Sequence, residues 1–262
     1  MTAGFVRVDD PEEGIRVLTV DRPEKLNALN SAVVNELAQE IGVAEASESL
    51  RCLIVTGAGE KAFIAGADIG ELATLTPVEG REHSRRGQAL LDRLERLPVP
   101  TIAAINGYAY GGGLELAMAC TLRVASENAR MGLPETSLGI LPGYGGTQRL
   151  ARHVGRARAL ELVLTSEKGL TATEAERIGL VNRVVEPGKA LSAALDMARR
   201  IAANGPVACR YALEAIRRGL DMPLAEGQVL EATLFGLCAA TTDMKEGMRA
   251  FLEKRPAKFT GK

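Results

Sequence analysis

Two runs of the chain, Cys52-Leu-Ile-Val-Thr56 and Thr101-Ile-Ala-Ala-Ile105, are almost wholly apolar and offer no face to water. A strand written this way must be covered on both sides, the condition met by a mostly parallel sheet with helices packed over it. The neighbouring segments fit. Ile15–Val20 alternates with period two and reads as a strand, ended by Asp21-Arg22-Pro23, where proline cannot continue the ladder. From Ser31 the apolar positions Val33, Val34, Leu37 and Ile41 recur at helical spacing, and Gly57-Ala58-Gly59 closes the next strand. A helix with a charged outer face is expected over 77–97, and Pro98 and Pro100 lead from it into the third strand. The β, α, β, α, β order predicts an α/β fold with largely parallel pairing.

Further on, 111–119 reads as a helix, 122–125 as a strand, and Leu138-Gly-Ile-Leu-Pro-Gly-Tyr-Gly-Gly-Thr147 as a glycine-rich loop. Thr171-Ala-Thr-Glu174 has capping-box spacing, and strand signals return near 180–185. Beyond about Pro187 helical periodicity takes over, at 191–203, 206–218 and 224–239. That change of pattern divides the chain into a core, 1–195, and a helical region, 196–262. With 28 Gly, four Tyr, five Phe and no Trp, the core must be aliphatic and wound around many tight turns.

Several functional classes are disfavoured. Lys and Arg total 32 against 33 Asp and Glu, a net charge of −1, which gives no broad attraction for nucleic acid or anionic lipid. No stretch approaches an uninterrupted membrane span, and the opening Met-Thr-Ala-Gly-Phe-Val-Arg-Val-Asp-Asp has neither a signal-sequence nor a presequence pattern. Cys52, Cys120, Cys209 and Cys238 stand far apart in apolar runs, which reads as buried reduced thiols. With only His83 and His153 to assist, no metal site is expected, and the thiols suit a cytoplasmic location.

Chemistry gathers at two glycine-containing turns and two glutamates. Gly111-Gly-Gly113 precedes a helix beginning Leu114-Glu115-Leu116, so backbone N–H groups lacking intrahelical partners collect at a positive helix end. Phe63-Ile-Ala-Gly-Ala-Asp-Ile69 supplies a second accessible backbone, with Asp68 placed to cap a following helix. Two N–H groups converging on one carbonyl oxygen would stabilise an enolate. Glu115 has the apolar neighbours Leu114, Leu116, Ala117 and Met118, and Glu135 follows Pro134 between apolar stretches. Two carboxyls facing one cavity could divide acid and base roles; alternatively each pairs with an arginine such as Arg123 or Arg149.

The order of these motifs resembles the enoyl-CoA hydratase/isomerase, or crotonase, superfamily. The resemblance runs through Asp21-Arg-Pro-Glu-Lys-Leu-Asn-Ala-Leu29, the 63–69 segment, 100–116, Gly132-Leu-Pro-Glu135, Pro142-Gly-Tyr-Gly-Gly-Thr-Gln-Arg149 and 246–255. It implies a β-β-α spiral core, a C-terminal helical trimerisation region and an assembly that is a trimer or a hexamer built as a dimer of trimers. The implied substrate is an acyl thioester of coenzyme A, with no separate cofactor. By this likeness the N–H groups of Ala67 and Gly112 form the oxyanion hole, and having both Glu115 and Glu135 is the hydratase pattern. Glu115 is then expected to hold and deprotonate water and Glu135 to transfer a proton at Cα. The same likeness gives Ala65, Ala67, Asp68 and Ile69 to the coenzyme A site, with Phe251 and Lys254 reaching it from a neighbouring subunit. Gly70 departs from the lysine many hydratases carry after A-D-I, and Lys25 is the residue that could substitute.

The alternatives on this scaffold are an isomerase and a hydratase of a branched or dicarboxylic enoyl-CoA of the 3-methylglutaconyl type. Arg81, Arg85 and Arg86 could serve a second carboxylate, but Arg-Glu-His-Ser-Arg-Arg reads better as a solvated helix face. His83, on that face, and His153, beside a helix end, are likewise expected at the surface and not in catalysis. An RNA-binding branch of the superfamily is a remote alternative, since Arg149, Arg152, Arg156 and Arg158 lack aromatic stacking partners.

Overall fold

The computed structural model describes residues 4–262, so the first three residues of the opening stretch lie outside it. Strand β1 (Val6–Glu12) pairs antiparallel with β2 (Ile15–Val20), and helix α1 (Ser31–Glu45) follows, its Asn30 cap accepting the Val33 N–H at 2.9 Å. The buried strand expected at 52–56 is β3 (Cys52–Gly57), which pairs parallel with β2. Next come β4 (Ala62–Ile64), the one-turn helix α2 (Ile69–Leu72) and α3 (Pro77–Arg96). Thr76 and Glu79 start α3 with a reciprocal capping box.

The segment 101–110 splits in two. β5 (Thr101–Ile105) pairs with β3, whereas β6 (Tyr108–Tyr110) pairs with β4. Between them Asn106 turns the chain by donating from Nδ2 to the carbonyls of Gly57 and Gly59. Helix α4 (Gly112–Ala119) then leads to β7 (Leu122–Ser126) and β8 (Arg130–Gly132), again one strand for each sheet. α5 (Gly146–Val154), α6 (Arg156–Leu164), β9 (Leu170–Thr171), α7 (Ala172–Arg177) and β10 (Arg183–Val185) complete the core. From β3 to β8 successive strands thus alternate between a six-stranded sheet, β1-β2-β3-β5-β7-β10, and a four-stranded sheet, β4-β6-β8-β9. The expected spiral of β-β-α units is this alternation. The second sheet consists of strands of two or three residues, too short to show a sequence period.

The pleat of the large sheet explains its apolar runs. Leu53, Val55, Ala103, Ile105 and Ala125 face a core shared with α1, α3 and α4, while Cys52, Ile54, Ile102, Ala104 and Val124 face α8 (Ala190–Ala202). Ala190, Ala194, Met197 and Ala198 cover that second face, so the expected division after residue 195 falls inside a helix packed on the sheet. The helices beyond it, α9 (Pro206–Gly219), α10 (Leu224–Ala239) and α11 (Thr242–Leu252), bury little: none of α9, and only Leu234 of α10. All four cysteines are free, but only Cys52 and Cys120 are fully buried; Cys209 and Cys238 are half-buried on these outer helices. No described helix is long and apolar enough to cross a membrane.

Candidate active site

Helix α4 begins where β6 leaves the small sheet, and the turn between them is possible only for glycine. Gly111 has φ 48° and ψ −123°, a conformation that L side chains rarely adopt, and a Cβ there would lie 2.8 Å from Glu135 Oε1. Gly112, the first helical residue, has no acceptor one turn behind it. The second donor comes from the 65–68 loop, which pairs with Leu29 as an isolated parallel bridge. Leu29 donates its N–H to Gly66 O and accepts the Asp68 N–H, both at 2.8 Å. The residue between those two bonds, Ala67, turns its own N–H away from Leu29. Among the described residues no acceptor takes the N–H of Ala67 or of Gly112, and both residues line one cavity of about 680 Å³.

Glu115 and Glu135 line the same cavity. Glu115 lies on α4, whose eight residues are all buried, and is itself 2% exposed. Its Oε1 accepts the N–H groups of Tyr144 at 2.8 Å and Gly146 at 2.6 Å. Burial and the nearby Glu135 push its carboxyl up to about 7, against the two backbone donors and Arg149, which pull it down. Glu135 sits on a 3-10 turn, Pro134–Leu138, and burial pushes it too up to about 7. Its Oε2 is buried without a hydrogen-bond partner.

The arginine pairing considered for these glutamates does not occur. Arg123 donates to the carbonyls of Leu180 and Cys120. Arg149 bonds Asp92, Glu95 and the Tyr144 carbonyl. Arg149 therefore holds the 142–146 loop from behind while that loop's N–H groups hold Glu115.

Of the expected coenzyme A residues, Ala65, Ala67 and Ile69 line the cavity. Asp68 does not: its carboxylate accepts the Gly70 N–H, capping α2 as expected, and lies 3.6 Å from Arg22. Lys25 is exposed on a short 3-10 turn outside the lining, and Phe251 and Lys254 are exposed at the end of α11, also away from it. The cavity also takes in residues the sequence did not single out as site residues, chiefly Tyr110, Leu138, Ile140, Leu141 and Tyr144. The glycine-rich loop signals at 138–147 marked their neighbourhood without separating site from turn. The expectation of surface histidines is corrected. His83 is half-buried in the cavity wall and bonds Tyr144, while His153 is packed 3.3 Å from the Met118 carbonyl, and burial holds its imidazole down at about 4. Arg81, Arg85 and Arg86 do face solvent. Among the described residues no cluster of three or more His, Cys, Asp or Glu side chains could hold a metal ion.

Two N–H groups without an acceptor and two carboxyls thus line one cavity beside the C-terminal ends of β4, β6 and β8, a class of site able to stabilise an enolate. A family model described as enoyl-CoA hydratase/isomerase matches residues 10–262, and the chain belongs to that family. It is 46% identical over 246 residues to a short-chain-enoyl-CoA hydratase of Clostridium acetobutylicum, covering 94% of both chains. It is 44% identical over 253 residues to a crotonyl-CoA hydratase of Syntrophomonas wolfei, covering 97% of both. A crystal structure of an enoyl-CoA hydratase from Bacillus anthracis superposes with a TM-score of 0.95 at 40% identity, over 98% of this chain and all of that one.

Proposed function

We propose that the protein is an enoyl-CoA hydratase, adding water to the double bond of a short trans-2-enoyl-CoA to give the 3-hydroxyacyl-CoA. The observation that carries this reading is the placement of Glu115 and Glu135, both pushed up to about 7, in one cavity also lined by Ala67 and Gly112, whose N–H groups have no acceptor among the described residues. The two N–H groups hold the thioester oxygen and take up the charge that forms there as the enolate develops. Glu115, fixed by the Tyr144 and Gly146 N–H groups, orients a water and accepts its proton as oxygen bonds to Cβ. Glu135 delivers a proton to Cα, and the same steps reversed give dehydration. Coenzyme A enters as part of the substrate, and no separate cofactor takes part.

The reading places a homotrimer or hexamer in the cytoplasm. The assembly is supported by the bare apolar side chains of the outer helices, among them Leu220, Leu224, Phe235 and Phe251, each more than 70% exposed. Phe251 and Lys254 then serve a neighbour's coenzyme A site, a role their distance from this chain's own cavity leaves open to them.

The test follows loss of the conjugated enoyl-thioester absorbance on mixing with crotonyl-CoA. Rapid loss with formation of 3-hydroxybutyryl-CoA is expected. Protein that binds coenzyme A thioesters yet leaves crotonyl-CoA unchanged, while moving the double bond of a 3-enoyl-CoA, would replace the hydratase by an isomerase.

A further inference from the structure

The cavity wall beside Glu115 is closed by two neutral polar rings that the proposed chemistry does not use. Tyr144 Oη lies 2.8 Å from His83 Nε2, with ring centroids 5.3 Å apart. The tyrosine is fixed from three directions. Its ring fills the notch at Gly87 on α3, where a Cβ would sit 2.1 Å from Tyr144 Cδ1. A Cβ at Gly112 would lie 3.7 Å from the same ring, and the Tyr144 N–H is held by Glu115. Withdrawing the ring would empty the notch at Gly87 and break the bond to His83.

The wall is also uncharged. Burial and the field of Arg86 hold the His83 imidazole below its usual range, and burial pushes the Tyr144 phenol up. Two charged side chains act on the pair from outside the lining, and they are of opposite sign: Arg86, which is exposed, and Glu71, whose carboxylate accepts from Ser31 N and Oγ. Among the described residues no lysine or arginine lines the cavity, whose only charged side chains are the two carboxyls.

We propose that the His83–Tyr144 wall makes this site selective for uncharged short acyl groups and against acyl groups ending in a second carboxylate, an inference that rests on the hydratase reading for where the acyl group lies. An acyl group with its reacting carbons between Glu115 and Glu135 presses whatever follows them against the wall next to Glu115. A terminal carboxylate brought there leaves water, meets no cation among the lining residues, feels Arg86 and Glu71 outside it with opposite sign, and stands near two acids. A methyl end meets ring faces and the apolar side chains of Leu72 and Leu75.

The test uses hexanoyl-CoA and adipoyl-CoA, which differ only at the terminal group and, being saturated, cannot be hydrated. Calorimetric titration of the wild-type protein is expected to give adipoyl-CoA binding at least about 10-fold weaker than hexanoyl-CoA. His83→Lys, which places a cation in the wall, is expected to close most of that gap by strengthening adipoyl-CoA alone. Wild-type binding of the two within threefold of each other overturns the proposal, as does a His83→Lys variant that shifts both equally. The wild-type pair decides even if the variant does not fold. A gap in binding together with no hydration of crotonyl-CoA would sink the hydratase reading and leave the selectivity standing.

Discussion

Glu115 and Glu135 reach one cavity from unlike supports. Glu115 stands on a helix buried along its whole length, with Oε1 taken by two backbone donors. Glu135 stands on a five-residue 3-10 turn that runs out to exposed Ser137 and Leu138, and its Oε2 is buried with nothing bonded to it. Burial pushes both carboxyls up to about 7, so the difference lies in what each can do with its oxygens. A carboxylate gripped by two N–H groups is held in one orientation, which suits the alignment of a water molecule. A buried oxygen without a partner has its hydrogen-bonding capacity free for an incoming group, which suits a proton carried to and from carbon.

The largest effect should come from removing the charge on either side of this comparison. Glu115→Gln and Glu135→Gln are each expected to lower kcat for crotonyl-CoA hydration by about 10²- to 10⁴-fold, the usual range for a general acid or base. Gln at 115 still offers an amide oxygen to the Tyr144 and Gly146 N–H groups, so circular dichroism and hexanoyl-CoA binding should remain close to wild type. Near-normal turnover by either variant would break the pairing and leave the other residue alone in the mechanism.

Gly146→Ala attacks only the gripped side. A Cβ at Gly146 would lie 2.7 Å from Glu115 Oε1 and 2.8 Å from its Cγ, inside contact distance, so the carboxylate must move. Misplacement on this scale is expected to lower kcat by roughly 10- to 100-fold, with a much smaller change in KM. Equal losses in kcat and in thioester affinity would show that the glycine serves the loop as a whole and not the aim of Glu115.

Legibility in the sequence followed the same division. Glu115 could be found because the chain around it is apolar at every position and a triple glycine starts its helix, two local signals that agree. The large sheet was legible because burial on both faces writes continuous apolar runs such as 52–56. The small sheet was not, because Ala62–Ile64 and Arg130–Gly132 are strands of three residues, too short for a pattern. The motif around Asp21–Leu29 points to the family, yet much of its work is structural. Asn27, fully buried at φ 59°, donates to the carbonyls of Ala58 and Ala62 and accepts the Arg22 N–H. His83 and Tyr144 are separated by 61 residues and meet through tertiary packing alone, which no spacing rule reveals. Thr171 does cap α7 by accepting the Glu174 N–H, but Glu174 turns to Arg177 instead of completing the box.

The smallest effect concerns stability, and its sign is opposite to that on activity. A carboxyl raised to about 7 in the folded chain keeps its proton between about pH 4.5 and 7, where the unfolded chain has released it. The folded state then binds more protons, so stability falls as pH rises through this window and stays lowered above it. A neutral glutamine removes the penalty, which for a shift of this size is at most about 3 kcal/mol per carboxyl. Glu135→Gln should therefore raise the melting temperature by several degrees at pH 8 and leave it unchanged at pH 4. Glu115→Gln should gain less, because the charged acceptor it removes was bonded to two N–H groups while Glu135 Oε2 was bonded to none. Melting curves of both variants at the two pH values read this directly. Equal gains would mean that the backbone grip on Glu115 contributes nothing beyond orientation, and no gain from Glu135→Gln would mean that its buried oxygen finds a partner in solution.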